Sequence, residues 1–409
     1  QKIFYVFPVI RNMSDVLPAI EGADEIVVKN DTKNNLAFIN YNVNFGDTTF
    51  PPVKTELDAI RRECRGIAFY ADTGEIASRP FHKFFNLNER PETMVSEVDW
   101  SVMYDTLDKI DGSFIRPILL RSGDHLWGTK MGDTPVAEKT RNFIDSMPQM
   151  SDFAYEYTRK QMTPIFEFTS RSQRIVIDYG PEDMMRLIGL RDNLTGAYHT
   201  YAELVEAAKR FNVYVVGKLD GKRTIVDLMS HTKDLIGEEG YVLAFANGHK
   251  VKLKAEHYCL LHKTIDHLRF EKDVLRLILD NKIDDAKPFL SEEMRDVVHR
   301  FEVKIEQGLR KTASDVYWMA AEAYDNLNGS RKKFAEFVNS DTARSKLSKF
   351  LFRTFSYLES GEQDIEALIF EDVVKSILQV CGTQSKVDDN RYLFGNANWY
   401  EICGEIPQD

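Results

Sequence analysis

Cysteine is scarce in this 409-residue sequence: four residues, Cys64, Cys259, Cys381 and Cys403, scattered and with no C-x-x-C pair. That spacing favours reduced thiols in a cytoplasmic protein, the host cytoplasm if the source is a virus, over a disulfide framework or a zinc site. No apolar run approaches the roughly 20 residues needed to cross a bilayer, so no membrane association is expected. The first ten residues are apolar and aromatic but lack the basic start and small-residue cleavage site of a signal peptide, and they begin with Gln rather than Met. Internal repeats and low-complexity segments are missing too. Positive charge is in deficit, with a net charge of −11. Such a chain does not coat duplex nucleic acid nonspecifically, because that binding needs many lysine and arginine contacts to phosphate. A basic groove on an acidic body remains open.

The length is enough for two domains, and the 43% hydrophobic and 29% charged residues are those of a globular protein. Runs rich in branched and aromatic residues predict strands at 37–43, 66–70, 114–120, 165–168, 174–178 and 241–245, with helical patterns at 136–146 and 200–211. Strands joined mostly by turns argue for an α+β domain with antiparallel sheets. Beyond residue 256 the apolar spacing turns helical, through 265–279, 294–309, 316–327, 347–358 and 365–380, with one short strand-like segment at 392–394. The expected division is therefore residues 1–255 and an all-helical domain of residues 256–409.

The informative segment is Lys109-Ile110-Asp111-Gly112-Ser113-Phe114-Ile115. A K-x-D-G match alone is weak, and Lys218-Leu219-Asp220-Gly221 is a second one. Context separates them: a strand follows Lys109, whereas Lys222 and Arg223 follow Lys218 and make a solvated turn. A lysine used as a nucleophile must shed its proton. The reference pKa of about 10.4 makes the free amine scarce, so neighbouring cations or desolvation are expected around it. Gly112 has no Cβ, which lets the backbone come close to a ligand.

Further blocks stand in fixed order around Lys109. Upstream are Glu63-Cys64-Arg65-Gly66 and Arg79-Pro80-Phe81-His82-Lys83-Phe84-Phe85-Asn86-Leu87-Asn88-Glu89; downstream are Phe166-Glu167-Phe168, Glu238-Glu239-Gly240-Tyr241-Val242 and Val251-Lys252-Leu253-Lys254. This series resembles the covalent nucleotidyltransferases. It is most similar to the single-strand RNA ligases of tailed phages that repair cleaved tRNA, over most of residues 37–262.

The resemblance implies an ATP-grasp-like nucleotidyltransferase domain and an ATP- and Mg2+-dependent ligase acting on RNA ends, tRNA among them, as a monomer. It makes Lys109 the nucleophile that carries AMP. It places Lys252 and Lys254 on the phosphates, Arg65, Lys83 and Lys130 around the nucleotide, Glu167 on the ribose, and Glu239, with Glu238 as its rival, in metal-linked duty. Tyr41 and Phe85 match nucleotide-site positions, with core packing as the alternative for each. Asp284, with Asp285 beside it as the alternative, matches a magnesium-linked aspartate. Helical periodicity after the K-x-K strand counts against a DNA ligase or capping enzyme, whose strand usually leads into a barrel. A non-catalytic RNA-end binder is the other rival, and it would need no nucleophilic lysine.

Overall fold

Twelve short strands form three four-stranded sheets in the computed structural model, described here for residues 7–404 except 43, 45, 46, 222, 288, 289 and 291. They are β1 (Ile26–Asp31), β2 (Leu36–Tyr41), β3 (Arg65–Tyr70), β4 (Ile76–Ser78), β5 (Phe85–Asn86) and β6 (Tyr104–Asp108), then β7 (Ser113–Leu119), β8 (His125–Gly128), β9 (Met162–Thr169), β10 (Met184–Asp192), β11 (Gly240–Phe245) and β12 (Lys250–Lys254). The sheet orders are β1-β2-β3-β4, β10-β9-β7-β8 and β5-β12-β11-β6. Every pairing is antiparallel except β12 with β5. The fold is thus α+β, with a helical region following β12.

Local chemistry sets where these elements begin. Thr55 caps the helix Glu56–Glu63: its hydroxyl accepts from the Asp58 amide, and the Asp58 carboxylate accepts from the Thr55 amide at 2.9 Å. The helix stops at Cys64, so Arg65 opens β3. Along β9, Phe166 and Phe168 enter a core shared with Phe153, Leu187 and Leu204, while Glu167 takes the opposite face.

Four segments depart from the periodicity reading. Residues 174–178 are not a strand. The amides of Val176 and Ile177 donate to the Asp111 carboxylate at 2.8 and 2.9 Å, which removes them from any ladder. Residues 265–279 divide into the helices Glu256–Leu268 and Glu271–Leu279, broken where Phe270 turns extended. The two patterns at 294–309 and 316–327 are one helix, Glu292–Asn326, because the intervening Arg310–Asp315 stretch contains no glycine or proline to end it. The expected strand at 392–394 is a 3-10 turn, Arg391–Phe394. It lies so close to the long helix that a Cβ on Gly308 would come within 2.2 Å of Phe394.

The chain divides into two compact units, Gln1–Leu260 and Leu261–Asp409. The second has its own core, built on Phe301, Ile305, Leu309, Val316, Phe334, Phe355 and Val373. No helix among the described residues is long and apolar enough to cross a membrane. The four cysteines are all free thiols.

Candidate functional site

Lys109 follows the last residue of β6, and its amide donates to the Gly240 carbonyl at 2.8 Å. The register Gly240↔Lys254 puts Lys254 across from the same point. Three segments remote in sequence therefore converge on one carboxylate. The Lys109 amine donates to one oxygen of Glu239 at 2.7 Å, and the Lys254 amine lies 3.1 Å from the other. Glu239 is 3% exposed. The group within hydrogen-bonding reach of the Lys109 amine is an anion, Lys254 is held on the other oxygen of that carboxylate, and Lys252 is close enough to feel the charge of Lys109. Glu238 makes no such contact among the described residues.

Gly240 is required here. At φ +127° it occupies backbone space that disfavours a side chain, and a Cβ would meet the Leu253 carbonyl at 2.2 Å. Gly112 is required for a comparable reason, a Cβ there meeting the Phe168 carbonyl at 2.5 Å. The close partner of Gly112 within the chain is thus β9. Asp111, the third residue of K-x-D-G, is 5% exposed and acts on the protein itself. Besides the two amides already named, it accepts from the Tyr258 hydroxyl at 2.8 Å, and its own amide donates to the Tyr179 hydroxyl at 2.9 Å.

β7 and β9 bring Glu167 near Lys109. Phe114 pairs with Glu167, so the two side chains share a face. Burial pushes the Glu167 carboxyl up to about 7; Lys109 opposes the rise and Glu239 adds to it. The opposite wall is cationic. Lys83 lies 4.9 Å and Lys130 5.2 Å from the Tyr41 ring centre, and the Lys83 amine is 3.4 Å from the Tyr41 hydroxyl. Burial works to raise the pKa of that hydroxyl, but Lys130, Lys83 and Arg65 together bring it below the ordinary tyrosine value. Burial, followed by Arg65 and Lys83, lowers Lys130. Lys252 is pushed down to about 7, by burial first and then by Arg65, Lys83, Lys109 and Lys254. These shifts are the mark of like charges gathered in one poorly solvated place.

Of the remaining expected residues, Phe85 is 2% exposed and enclosed by Arg62 and Arg90 at 4.6 and 4.8 Å from its ring centre, a core position beneath the cleft. Asp284 is an exposed residue of the helical unit, paired with Lys287 at 2.6 Å. The side chain of Asp285 lies outside the described residues.

Two groups escaped the sequence reading. Arg116 is fully buried inside β7, its guanidinium between the rings of Phe38 and Phe114 and donating to the Gly66 carbonyl at 2.5 Å. Its Nε and Nη1 have no partner among the described residues, and burial next to Arg65 pushes it down to about 9. The available signal was an arginine in phase with Phe114 within an otherwise apolar strand. The second group is Glu63, which holds Arg79 at 3.0 Å and Arg191 at 2.7 Å, all three buried. This ion cluster fastens the E-C-R-G block to the block that starts at Arg79, so the spacing of Arg65 and Lys83 across the cleft depends on it.

Several cations are thus gathered near a lysine that is paired with a buried glutamate. The RNA ligase family profile matches residues 63–258. A candidate RNA ligase of Thermovibrio ammonificans is 31% identical over 284 residues, 67% of this chain and 70% of that protein. A candidate bifunctional polynucleotide kinase/RNA ligase of Autographa californica nuclear polyhedrosis virus is 24% identical over 282 residues, 64% of this chain but 38% of that longer protein. Among solved structures, an archaeal ATP-dependent RNA ligase matches at 15% identity and a TM-score of 0.41, over 70% of this chain and 74% of that one. The chain belongs to the RNA ligase family.

Proposed function

We propose that this RNA ligase uses ATP and works through an AMP carried on Lys109. The observation that carries the reading is the Lys109 amine, 2.7 Å from Glu239, at the end of a cleft walled by Lys252, Lys254, Arg65, Lys83 and Lys130. The amine attacks the α-phosphorus of ATP, the bond to the pyrophosphate oxygen breaks, and Glu239 is the acceptor within reach for the proton the amine gives up. A 5′-phosphate of RNA then takes the AMP from Lys109. Finally a 3′-hydroxyl attacks that phosphate, AMP leaves, and the phosphodiester closes. Each step is an in-line displacement at phosphorus, so the work of the residues is positioning and charge neutralisation.

Among the described residues no three His, Cys, Asp or Glu side chains gather as a metal cage. That suits Mg2+, which keeps water and phosphate oxygens as most of its ligands and takes one or two carboxylates. Glu239 would hold it beside the nucleotide, Asp284 being the other candidate from the family resemblance, and the ion supplies charge neutralisation at the phosphates when bound. Glu167 would face the ribose. The blocks of the sequence resemble those of tRNA-repair ligases, so single-stranded ends of a cleaved tRNA are the proposed substrate and a monomer the proposed working form.

The test is labelling with ATP carrying a tagged α-phosphate. Wild-type protein becomes labelled, and Lys109→Ala, which removes only a partly exposed amine, folds normally and does not; retained label on that variant ends the reading. GTP in place of ATP separates a capping activity. Joining of a nicked tRNA in preference to a linear oligomer addresses the substrate.

A further inference from the structure

Four arginines are buried among the described residues: Arg62, Arg79, Arg116 and Arg191. Three of them have a carboxylate partner, Arg62 with Glu92 at 2.9 Å, and Arg79 and Arg191 with Glu63 at 3.0 and 2.7 Å. Arg116 has no ion-pair partner among the described residues, and the hydrogen bond it makes there runs from Nη2 to the Gly66 carbonyl. Its surroundings add a second positive charge instead of a negative one. The Arg65 guanidinium shares the Phe114 ring with it, the two lying 5.9 and 5.7 Å from the ring centre. Arg65 too has a buried nitrogen, Nη1, without a partner among the described residues. A buried charge held in this way lowers stability, so packing alone does not account for it.

The place of Arg116 in the sheets says what depends on it. Phe114, Arg116 and Ile118 alternate along β7 and so share a face, and Ile118 packs with Phe38, Ala68 and Leu126. An aliphatic side chain at position 116 would continue that core. The guanidinium instead reaches β3 at Gly66, the residue after Arg65. Across the sheet Arg116 pairs with Gly128 at the end of β8, and the turn that follows, Thr129 to Gly132, carries Lys130. The two carriers also touch: a Cβ on Gly66 would lie 2.6 Å from the Lys130 carbonyl oxygen. Arg116 is therefore joined to both segments that bring Arg65 and Lys130 towards Tyr41 and Lys83. The charges that act on Arg116 and Lys130 include no carboxylate: Arg65 on the first, and Arg65, Tyr41 and Lys83 on the second. Cations gathered without anions are complemented by a polyanion.

We propose that Arg116 is a positioning residue for the polyphosphate of ATP: its charge and its bond to Gly66 hold Arg65 and Lys130 in place and add to the positive potential they present. The proposal deepens the reading of the chain as an ATP-using RNA ligase and rests on it. Arg116 is 0% exposed, so no ligand touches it, and it acts through Arg65 and Lys130. Bound polyphosphate supplies the negative charge that Arg65, Lys83, Lys130 and Arg116 lack. A potential of this kind acts most on the ligand of highest charge, which favours the nucleotide over a singly phosphorylated RNA end. The consequence falls on nucleotide affinity and not on the rate of the transfer step.

The test measures binding of α,β-methylene-ATP, which cannot release pyrophosphate, to the full chain and to its Arg116→Gln and Arg116→Lys variants. Glutamine keeps a donor for Gly66 and loses the charge; lysine keeps both. Arg116→Gln is expected to weaken binding about tenfold, and Arg116→Lys to stay within about threefold of wild type. In labelling by ATP the Gln variant should show the same rise in KM with a maximal rate within about threefold of wild type, the signature of lost uniform binding. Binding of a 5′-phosphorylated single-stranded RNA without ATP should change by less than about twofold. Equal affinities in the two variants, at the wild-type level or below it, overturn the proposal, because a tie to Gly66 by itself needs a donor and not a charge. So does a fall in maximal rate at unchanged KM. So does an equal loss of RNA affinity, which would assign the charge to the RNA phosphate. Should Arg116→Gln fail to fold, citrulline in place of Arg116 decides, since it keeps the shape and the donors and loses only the charge: weaker binding supports the proposal and unchanged binding overturns it. Charge-dependent binding of the analogue in a protein that never labels with ATP removes the lysyl-AMP reading and leaves this one standing; labelling of Lys109 with equal affinities in the two variants does the reverse.

Discussion

Glu239 makes two charged contacts with one side chain, one oxygen facing Lys109 and the other Lys254. In Glu239→Gln the amide cannot satisfy two ammonium groups, and labelling by ATP is expected to fall at least about a hundredfold, given the usual size of a lost preorganised charge contact. Lys252 invites a second prediction. Its folded pKa of about 7 lies below that of an unfolded lysine. Between those values the unfolded chain holds the extra proton, so this group's penalty on folding shrinks as pH rises through the window. On the proposed placement of the ATP triphosphate beside Lys252, its charged form is favoured again. Binding of ATP at pH 8 should therefore take up as much as about one proton. Calorimetry in two buffers of different ionisation enthalpy reads this directly, and the uptake should vanish in Lys252→Met. Glu167 has the opposite signature. With its carboxyl raised to about 7, the folded state binds the proton more tightly, so stability contributed by the neutral form is lost as pH rises from the ordinary glutamate range through 7. Glu167→Gln should accordingly gain stability over wild type at pH 8 relative to pH 5, by at most about 3 kcal/mol, in thermal melts of the nucleotide-free protein.

At the scale of elements, the cleft is a consequence of how strands are joined rather than of any one strand. β3 and the segment entering β5 carry Arg65 and Lys83, and the buried Glu63 cluster ties them together. Burial opposes ionisation of Glu63, but Arg191 and Arg79 outweigh it and hold the carboxyl below its usual range. Its contribution is present above the unfolded pKa and is lost as pH falls through the folded one. Glu63→Gln leaves two buried guanidinium groups short of charge, and a loss of about 3 to 5 kcal/mol in denaturant unfolding is expected. The bend at Gly240 is the comparable joint on the other wall, where strain and the 2.2 Å approach to Leu253 leave no room for a methyl group.

For the whole molecule, two separate cores imply two separable stabilities. Phe301→Ala removes a fully buried ring from the helical core and should cost that unit about 3 to 5 kcal/mol. The expected scan shows an early transition for the helical unit, with ATP labelling of Lys109 preserved below the second. A single transition displaced as a whole would instead mean that the units unfold as one.

The order of chemical blocks along the chain was enough to name an RNA ligase family and to separate an α+β part from a helical part, and it offered Lys109 over Lys218 as the nucleophile to be tested. These properties are local: a K-x-D-G loop before a strand, alternation along β12, and a 3.6-residue period after residue 256 are all written in short windows. The tertiary structure decided what a window cannot hold. Glu239 meets Lys109 across 130 positions because β6 and β11 pair. Arg116, inside an apolar strand, became part of the cationic wall only when β3 closed over it. Residues 174–178, strand-like by composition, were diverted by the Asp111 carboxylate. Charge and backbone partners act through space, with energies that outweigh local propensity once water is excluded, so their placement follows from packing and not from spacing in the chain.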